Sequence, residues 1–339
     1  MGAFSYNAGF PLPAHPLFPG SPMRILLIKT TSLGDVIHNL PVVSDLRRCL
    51  PDARIDWCVE ESFADIPRLH PGVGRVIPVA VRRWRKNLGA VATWRAVADF
   101  RREIGADDYD AVLDTQGLLK SALIARFARG RRCGYAAEVA REPLAARFYD
   151  ATFVIPRNVH AVQRNRWLAA AAFDYPVDLP LDYGIAAPSL DADWLPAGRL
   201  AILLTATSRD DKLWAENHWR ELAAALRARG LTPVLPAGSA PERQRVERIA
   251  AAVAGAIVAP PLSLPRVAAL LARASLTIGV DTGLAHLAAA LRVPVIALYI
   301  ATEPALTGVL GTGFHRNLGG AGRPPSVGEV LAVAEQALR

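Results

Sequence analysis

Apolar runs of four or five residues alternate along this chain with longer stretches whose apolar positions recur at helical spacing. Residues 24–28 read as a buried strand and 36–50 as the helix that follows it. Further strands are predicted at 54–59, 75–79, 111–114 and 152–155, with helices between them. A second series opens at 200–205 and continues through 232–235, 256–258, 276–280 and 295–299. This βαβ rhythm predicts an α/β protein built from two parallel-sheet units. Pro176, Pro180, Pro188 and Pro196 interrupt the pattern between the two series, as a domain linker does. After a Gly/Pro-rich segment at 319–325, residues 326–338 predict a last amphipathic helix.

Composition narrows the class. With 52% hydrophobic and 21% charged residues over 339 positions, the chain has ample material for two cores, so disorder and fibre are excluded. Residues 1–22 hold Pro11, Pro13, Pro16, Pro19 and Pro22 and no Lys or Arg, which is unlike a signal peptide and reads as a flexible extension before Met23. No run of apolar residues is long enough to cross a membrane. Cys49, Cys58 and Cys133 are an odd set without a CxxC pair, so neither a disulfide framework nor a zinc site is suggested and a reducing cytoplasm is the default. The net charge of +8 is unevenly placed: residues 1–175 hold 24 basic and 17 acidic side chains, and residues 176–339 hold 15 and 14. The first half is thus expected to meet an anionic partner.

Three strand ends carry candidate chemistry. The first strand runs into a small-residue loop ending in Gly34 and Asp35, where Asp35 is either a helix cap or a general base kept ionised by the helix terminus. In the second series, Thr207, Ser208 and Lys212 follow the opening strand and suit a phosphate. Asp281, Thr282, Gly283 and His286 follow a later strand, where backbone N–H groups of Thr282 and Gly283 would face an anion. Together the two second-half loops favour a nucleotide-diphosphate site. Neither a GxGxxG nor a GxxxxGK[ST] motif is present, nor HExxH or GxSxG, so dinucleotide, P-loop, metalloprotease and serine-hydrolase readings lose support. Two D-x-D tripeptides, Asp108 to Asp110 and Asp191 to Asp193, read as solvated charge. Arg82, Arg83, Arg85 and Lys86 surround Trp84, and Lys120, Arg126 and Arg141 follow in the same half, which fits a walled anionic pocket better than a nucleic-acid groove.

In the stretches 29–38, 59–61, 77–86, 114–120, 141–143, 206–214 and 280–286, the chain from Met23 onward resembles the lipopolysaccharide heptosyltransferases of glycosyltransferase family 9. Among them it is most similar to the branch that adds the first heptose. The resemblance implies a GT-B fold, with two Rossmann-like domains at 23–180 and 181–325 facing across a cleft and a C-terminal helix at 326–339 crossing back onto the first domain. It implies inverting transfer of L-glycero-D-manno-heptose from ADP-heptose to the inner Kdo of Kdo2-lipid A, without cofactor or essential metal. The protein would work at the cytoplasmic face of the inner membrane, in peripheral contact with it, and nucleic acid is not expected. Asp35 matches the family's general base. Thr207, Ser208, Lys212, Glu242, Asp281, Thr282, Gly283 and His286 match its donor site, and Arg82, Arg83, Lys86, Lys120 and Arg141 match its acceptor side. Ile300 and Ala215 depart from the family pattern, replacing a glycine and a proline near the donor. The alternatives are a family 9 transferase acting on an already heptosylated acceptor, and a nucleotide-sugar-binding module without catalysis.

Overall fold

Ile25, Leu26, Leu27 and Ile28 are fully buried, without the in-and-out alternation of a one-sided sheet. A strand covered on both faces has that pattern. The computed structural model describes residues 22–207 and 209–339, so the proline-rich extension expected over 1–22 lies almost wholly outside the described residues. The chain divides after Gly184 into two compact units.

In the first unit the strands are β1 (Arg24–Ile28), β2 (Arg54–Glu60), β3 (Val73–Val79), β4 (Asp108–Asp114), β5 (Arg129–Tyr135) and β6 (Ala151–Phe153). They form a parallel sheet in the order β3-β2-β1-β4-β5-β6. The second unit holds β7 (Leu200–Leu204), β8 (Thr232–Leu235), β9 (Ile257–Val258), β10 (Leu276–Val280), β11 (Val295–Tyr299) and β12 (His315–Gly319). Their order, β12-β11-β10-β7-β8-β9, repeats the first sheet's winding. In each sheet the direction of winding reverses between the first and fourth strands, at β1/β4 and at β7/β10. The crevice at the carboxyl ends of such a strand pair is where open α/β sheets hold ligands.

Three features differ from the sequence expectation, each for a physical reason. The helix expected over 36–50 is two helices, Leu33–Ile37 and Leu40–Cys49. Pro41 lies in the first turn of the second; its ring has no N–H and would clash with the carbonyl four residues back had the first helix continued. Strand β5 was not expected, because three arginines and two glycines hide its pattern. Pairing with β4 and β6 makes it a strand, and Arg132 is held by both carboxylate oxygens of Asp150. Strand β12 is likewise polar and owes its shape to the register with β11.

The last helix, Val327–Ala337, begins at the residue expected from the sequence pattern, give or take one, and belongs to the second unit. Its apolar stripe, Val327, Val330 and Ala334, is buried with Trp214, Trp219 and Leu222 in the core of the second unit. The Trp214 indole N–H donates to the Pro325 carbonyl at 3.0 Å just before the helix begins. Arg229 and Glu335 close the helix's far end with an ion pair at 2.7 Å.

Helix Ala161–Phe173 is tied to Leu40–Cys49 by a buried charge pair. Arg166 donates to both oxygens of Asp45, at 2.7 and 3.0 Å, and to the carbonyl of Leu179 at 2.6 Å, where the chain leaves the first unit. Asp45→Ala leaves a guanidinium buried without its counter-charge and is expected to destabilise the protein by about 3–5 kcal/mol. Asp45→Leu combined with Arg166→Met removes both charges and is expected to cost far less. Urea unfolding of the two variants checks the contrast.

Candidate functional site

At the end of β1 the chain makes a short loop and enters helix Leu33–Ile37. Asp35 stands in the first turn, where its Oδ2 accepts from the Ser32 backbone N–H at 2.7 Å and the Ser32 hydroxyl at 3.1 Å. The Arg141 guanidinium lies 3.9 Å from the same oxygen. These contacts all fall on Oδ2 and leave Oδ1 for another partner. The Asp35 side chain is about one quarter exposed, at 27%, enough for a ligand to reach it.

The loop itself is held by Gln116, which follows β4 across the switch point. Its Oε1 accepts from Thr30 N–H at 2.7 Å, Thr30 hydroxyl at 3.0 Å and Thr31 N–H at 3.2 Å, while its Nε2 donates to the Thr31 carbonyl. Gln116 is placed in turn by Asp114, whose Oδ1 accepts from the Gln116 N–H at 2.8 Å and whose Oδ2 accepts from the Tyr149 hydroxyl at 2.7 Å. Gly134 makes this possible, since a Cβ there would collide with the Tyr149 ring. Burial pushes the Asp114 carboxyl up, opposed by the hydrogen bonds it receives.

Three further charged side chains crowd this end of the sheet. Lys29 is buried, donates to the Thr115 carbonyl at 2.8 Å and to Asn165 at 3.2 Å, and is pushed down to about 8 by its burial. Lys120 donates to the Thr31 hydroxyl at 2.7 Å; burial also lowers its pKa, against the pull of Glu60. Glu60 is raised by burial and accepts from the Arg82 N–H at 3.0 Å. Arg82, Arg83 and Lys86 lie on helix Val81–Lys86, where with Glu60 and Glu61 they line a hollow of about 340 Å³. Arg83 pairs with Glu61 through its Nε and Nη2, at 3.0 and 2.9 Å, which uses two of the five N–H donors of its guanidinium.

In the second unit the loops after β7 and β10 meet. Lys212 pairs with Asp281 at 2.6 Å, Thr302 donates to the same carboxylate at 2.8 Å, and the Thr207 hydroxyl donates to the Asp281 carbonyl at 2.9 Å. Both members of the ion pair are mostly buried, so Asp281 fixes one ammonium direction. Thr282 and Gly283 stand where helix Gly283–Ala290 starts, and His286 is buried one turn in. Glu242 follows β8; its Oε2 accepts from the Gly238 N–H at 2.7 Å, so the carboxylate shapes its own turn. Ser208 lies outside the described residues.

The sequence-predicted residues therefore fall into three groups. Asp35, Lys120 and Arg141 surround one strand-end loop, with Arg82, Arg83 and Lys86 on the neighbouring helix. Thr207, Lys212 and Asp281 form a bonded set at the β7/β10 switch point, beside Thr282 and Gly283. Sequence reasoning did not single out Gln116, Thr31, Glu60 or Thr302. A Gln two residues beyond a buried strand-ending Asp was the available signal for the first. Among the described residues no group of three or more His, Cys, Asp or Glu is placed to hold a metal, and no helix is long and apolar enough to cross a membrane. Asp108 and Asp110 lie within β4, not before it; Asp108 pairs with Arg129 and Asp110 accepts from the Arg24 N–H.

The sequence profile of glycosyltransferase family 9 (heptosyltransferase) matches residues 97–323. Lipopolysaccharide heptosyltransferase 1 of Pseudomonas aeruginosa is 48% identical over 295 residues, which span 85% of this chain and 82% of that protein. The structure of E. coli heptosyltransferase WaaC with ADP is similar at a TM-score of 0.86 and 40% identity, covering 93% of this chain and 100% of that one. The same E. coli protein with ADP-2-deoxy-2-fluoro heptose gives a TM-score of 0.84 at 40% identity, covering 93% and 99%. With a profile match over most of its length and a relative 48% identical across both units, this chain belongs to glycosyltransferase family 9, the heptosyltransferases.

Proposed function

We propose that this enzyme transfers L-glycero-D-manno-heptose from ADP-heptose to the inner Kdo of Kdo2-lipid A, with inversion, at the cytoplasmic face of the inner membrane. The observation that carries the mechanism is Asp35: a carboxylate at a switch-point strand end, anchored through one oxygen and flanked by Arg141. In this reading an acceptor hydroxyl oxygen attacks the anomeric carbon of the heptose. The bond from that carbon to the diphosphate breaks, and ADP leaves with the electron pair. Asp35 Oδ1 takes the hydroxyl proton as the new C–O bond forms, since an alcohol is too weak an acid to give it up earlier. Lys212, aimed by Asp281 and Thr302, and the N–H groups at Thr282 and Gly283 would meet the charge growing on the diphosphate. The solved E. coli relative with ADP and with a fluorinated ADP-heptose supports this donor. Thr207, Glu242 and His286 complete the proposed donor side, as does Ser208 by sequence. On the acceptor side, Lys120, Arg141, Arg82 and Lys86 supply cations for the phosphate and carboxylates. Arg83, on the same helix as Arg82 and Lys86 and paired with Glu61, would add its remaining N–H donors to this side.

The reading is tested by assaying purified protein with ADP-heptose against Kdo2-lipid A and its heptosylated product side by side. Preference for the heptosylated acceptor would overturn it. Asp35→Asn is expected to lower kcat by about 10²- to 10⁴-fold while donor affinity holds, and near-normal turnover would remove Asp35 as the base. Lys212→Ala and Asp281→Ala should both weaken binding of a non-transferable donor analogue, measured by calorimetry. The second acts by releasing Lys212. Gln116→Leu should lower kcat by roughly 10-fold or more, because it frees the loop that carries Asp35, without changing donor affinity. It also leaves loop N–H groups unsatisfied, so its unfolding free energy should fall by about 1–3 kcal/mol.

A further inference from the structure

Seven large apolar side chains are exposed among the described residues, and three of them, Leu88, Val91 and Trp94, lie within seven consecutive positions. They are 57%, 66% and 60% exposed. This is a built surface. The Trp94 indole N–H donates to the Leu88 carbonyl at 2.9 Å, and the Thr93 hydroxyl donates to the Asn87 carbonyl at 2.8 Å. Helix Val91–Ile104 buries Thr93, Phe100 and Ile104 on its inner side, so Val91, Trp94 and Ala98 project from the opposite one. With its N–H satisfied inside the turn, the indole offers only apolar surface outward.

Charge decides what this surface fits. From Arg82 to Ala98 there are five basic residues and no acidic one. Arg83 is committed to Glu61, but Arg85, Lys86 and Arg95 are exposed and form no ion pair among the described residues. A sugar phosphate would use the cations and leave Leu88, Val91 and Trp94 in water. A protein partner with an apolar core would disfavour the lysine and the ring of charge. Apolar side chains inserted at headgroup depth, with cations beside them at the phosphates, are what binds a protein to an anionic bilayer.

We infer that residues 85–98 form a docking face for an anionic lipid bilayer, built from Leu88, Val91 and Trp94 and flanked by Arg85, Lys86 and Arg95. Its purpose rests on the acceptor being lipid-anchored as proposed above: the hollow beside Arg82 and Lys86 would then meet the acceptor at the membrane surface. Binding of a bilayer by this face does not require heptose transfer.

The test is flotation with vesicles of phosphatidylethanolamine and phosphatidylglycerol that contain no Kdo2-lipid A, compared with phosphatidylcholine vesicles. Wild-type protein should bind the anionic vesicles, less so as NaCl is raised, and should bind phosphatidylcholine weakly. Leu88→Ser with Trp94→Ser should weaken binding at least about tenfold, and Arg95→Ala roughly fivefold. Both variants should transfer heptose to a deacylated, soluble acceptor as the wild type does, which shows that they are folded. Absence of wild-type binding, or variants that bind like wild type, would overturn the inference and leave the patch to a protein partner. Failure of wild-type transfer with intact vesicle binding would instead count against the proposed acceptor.

Discussion

The carboxamide of Gln116 is the contact on which the first unit's site depends. Its oxygen takes three donors from Thr30 and Thr31, and its nitrogen donates to the carbonyl and the hydroxyl of Thr31, so only one orientation of the amide satisfies every partner. Buried polar groups of this kind are costly when half satisfied and rigid when complete. Here the complete set locks the end of β1 to the end of β4. Thr31 then presents its hydroxyl to Lys120, and Ser32 turns the chain so that Asp35 follows one residue pair later. Behind Gln116 the chain of support runs through Asp114 to Tyr149 and to the missing side chain of Gly134.

The second unit uses the same topology with a different device. A buried ion pair replaces the amide: Lys212 after β7 and Asp281 after β10 bridge the corresponding switch point, with Thr207 and Thr302 tying the two loops to it. If the proposed donor binds here, its diphosphate meets an ammonium that is already desolvated and aimed. In the proposed reading Asp281 bears on the donor through the lysine it positions.

Net charge was a blunt guide to the proposed acceptor side. Much of the basic excess of the first half is spent on structure: Arg24 and Arg75 on Asp107, Arg129 on Asp108, Arg132 on Asp150, Arg166 on Asp45 and Arg83 on Glu61. What the proposed acceptor side would draw on is a smaller set around Lys120, Arg141 and helix Val81–Lys86, with a further exposed group beside Trp94. A count of arginines cannot separate these roles, because an ion pair forms between residues far apart in the chain.

The α/β class, the two series of strands and the loops bearing Asp35, Lys212 and Asp281 were legible in the sequence. Continuous burial makes central parallel strands read as unbroken apolar runs, and ligand loops follow such strands directly. The two most polar strands, β5 and β12, were not, since their extended shape comes from ladder pairing with neighbours and not from their own side chains. The break between Ile37 and Leu40 was written in Pro41 and could have been read. Where the last helix packs could not: Val327, Val330 and Ala334 make an apolar stripe that any core could accept, and only the position of Trp214 and Trp219 selects the second unit. Gln116 was equally hidden, because its value lies in donors 85 and 86 positions away that the fold alone brings within 3 Å or so. Local sequence determines which segments can be strands, helices and ligand loops; which polar groups end up opposite one another is decided when the sheet order is set.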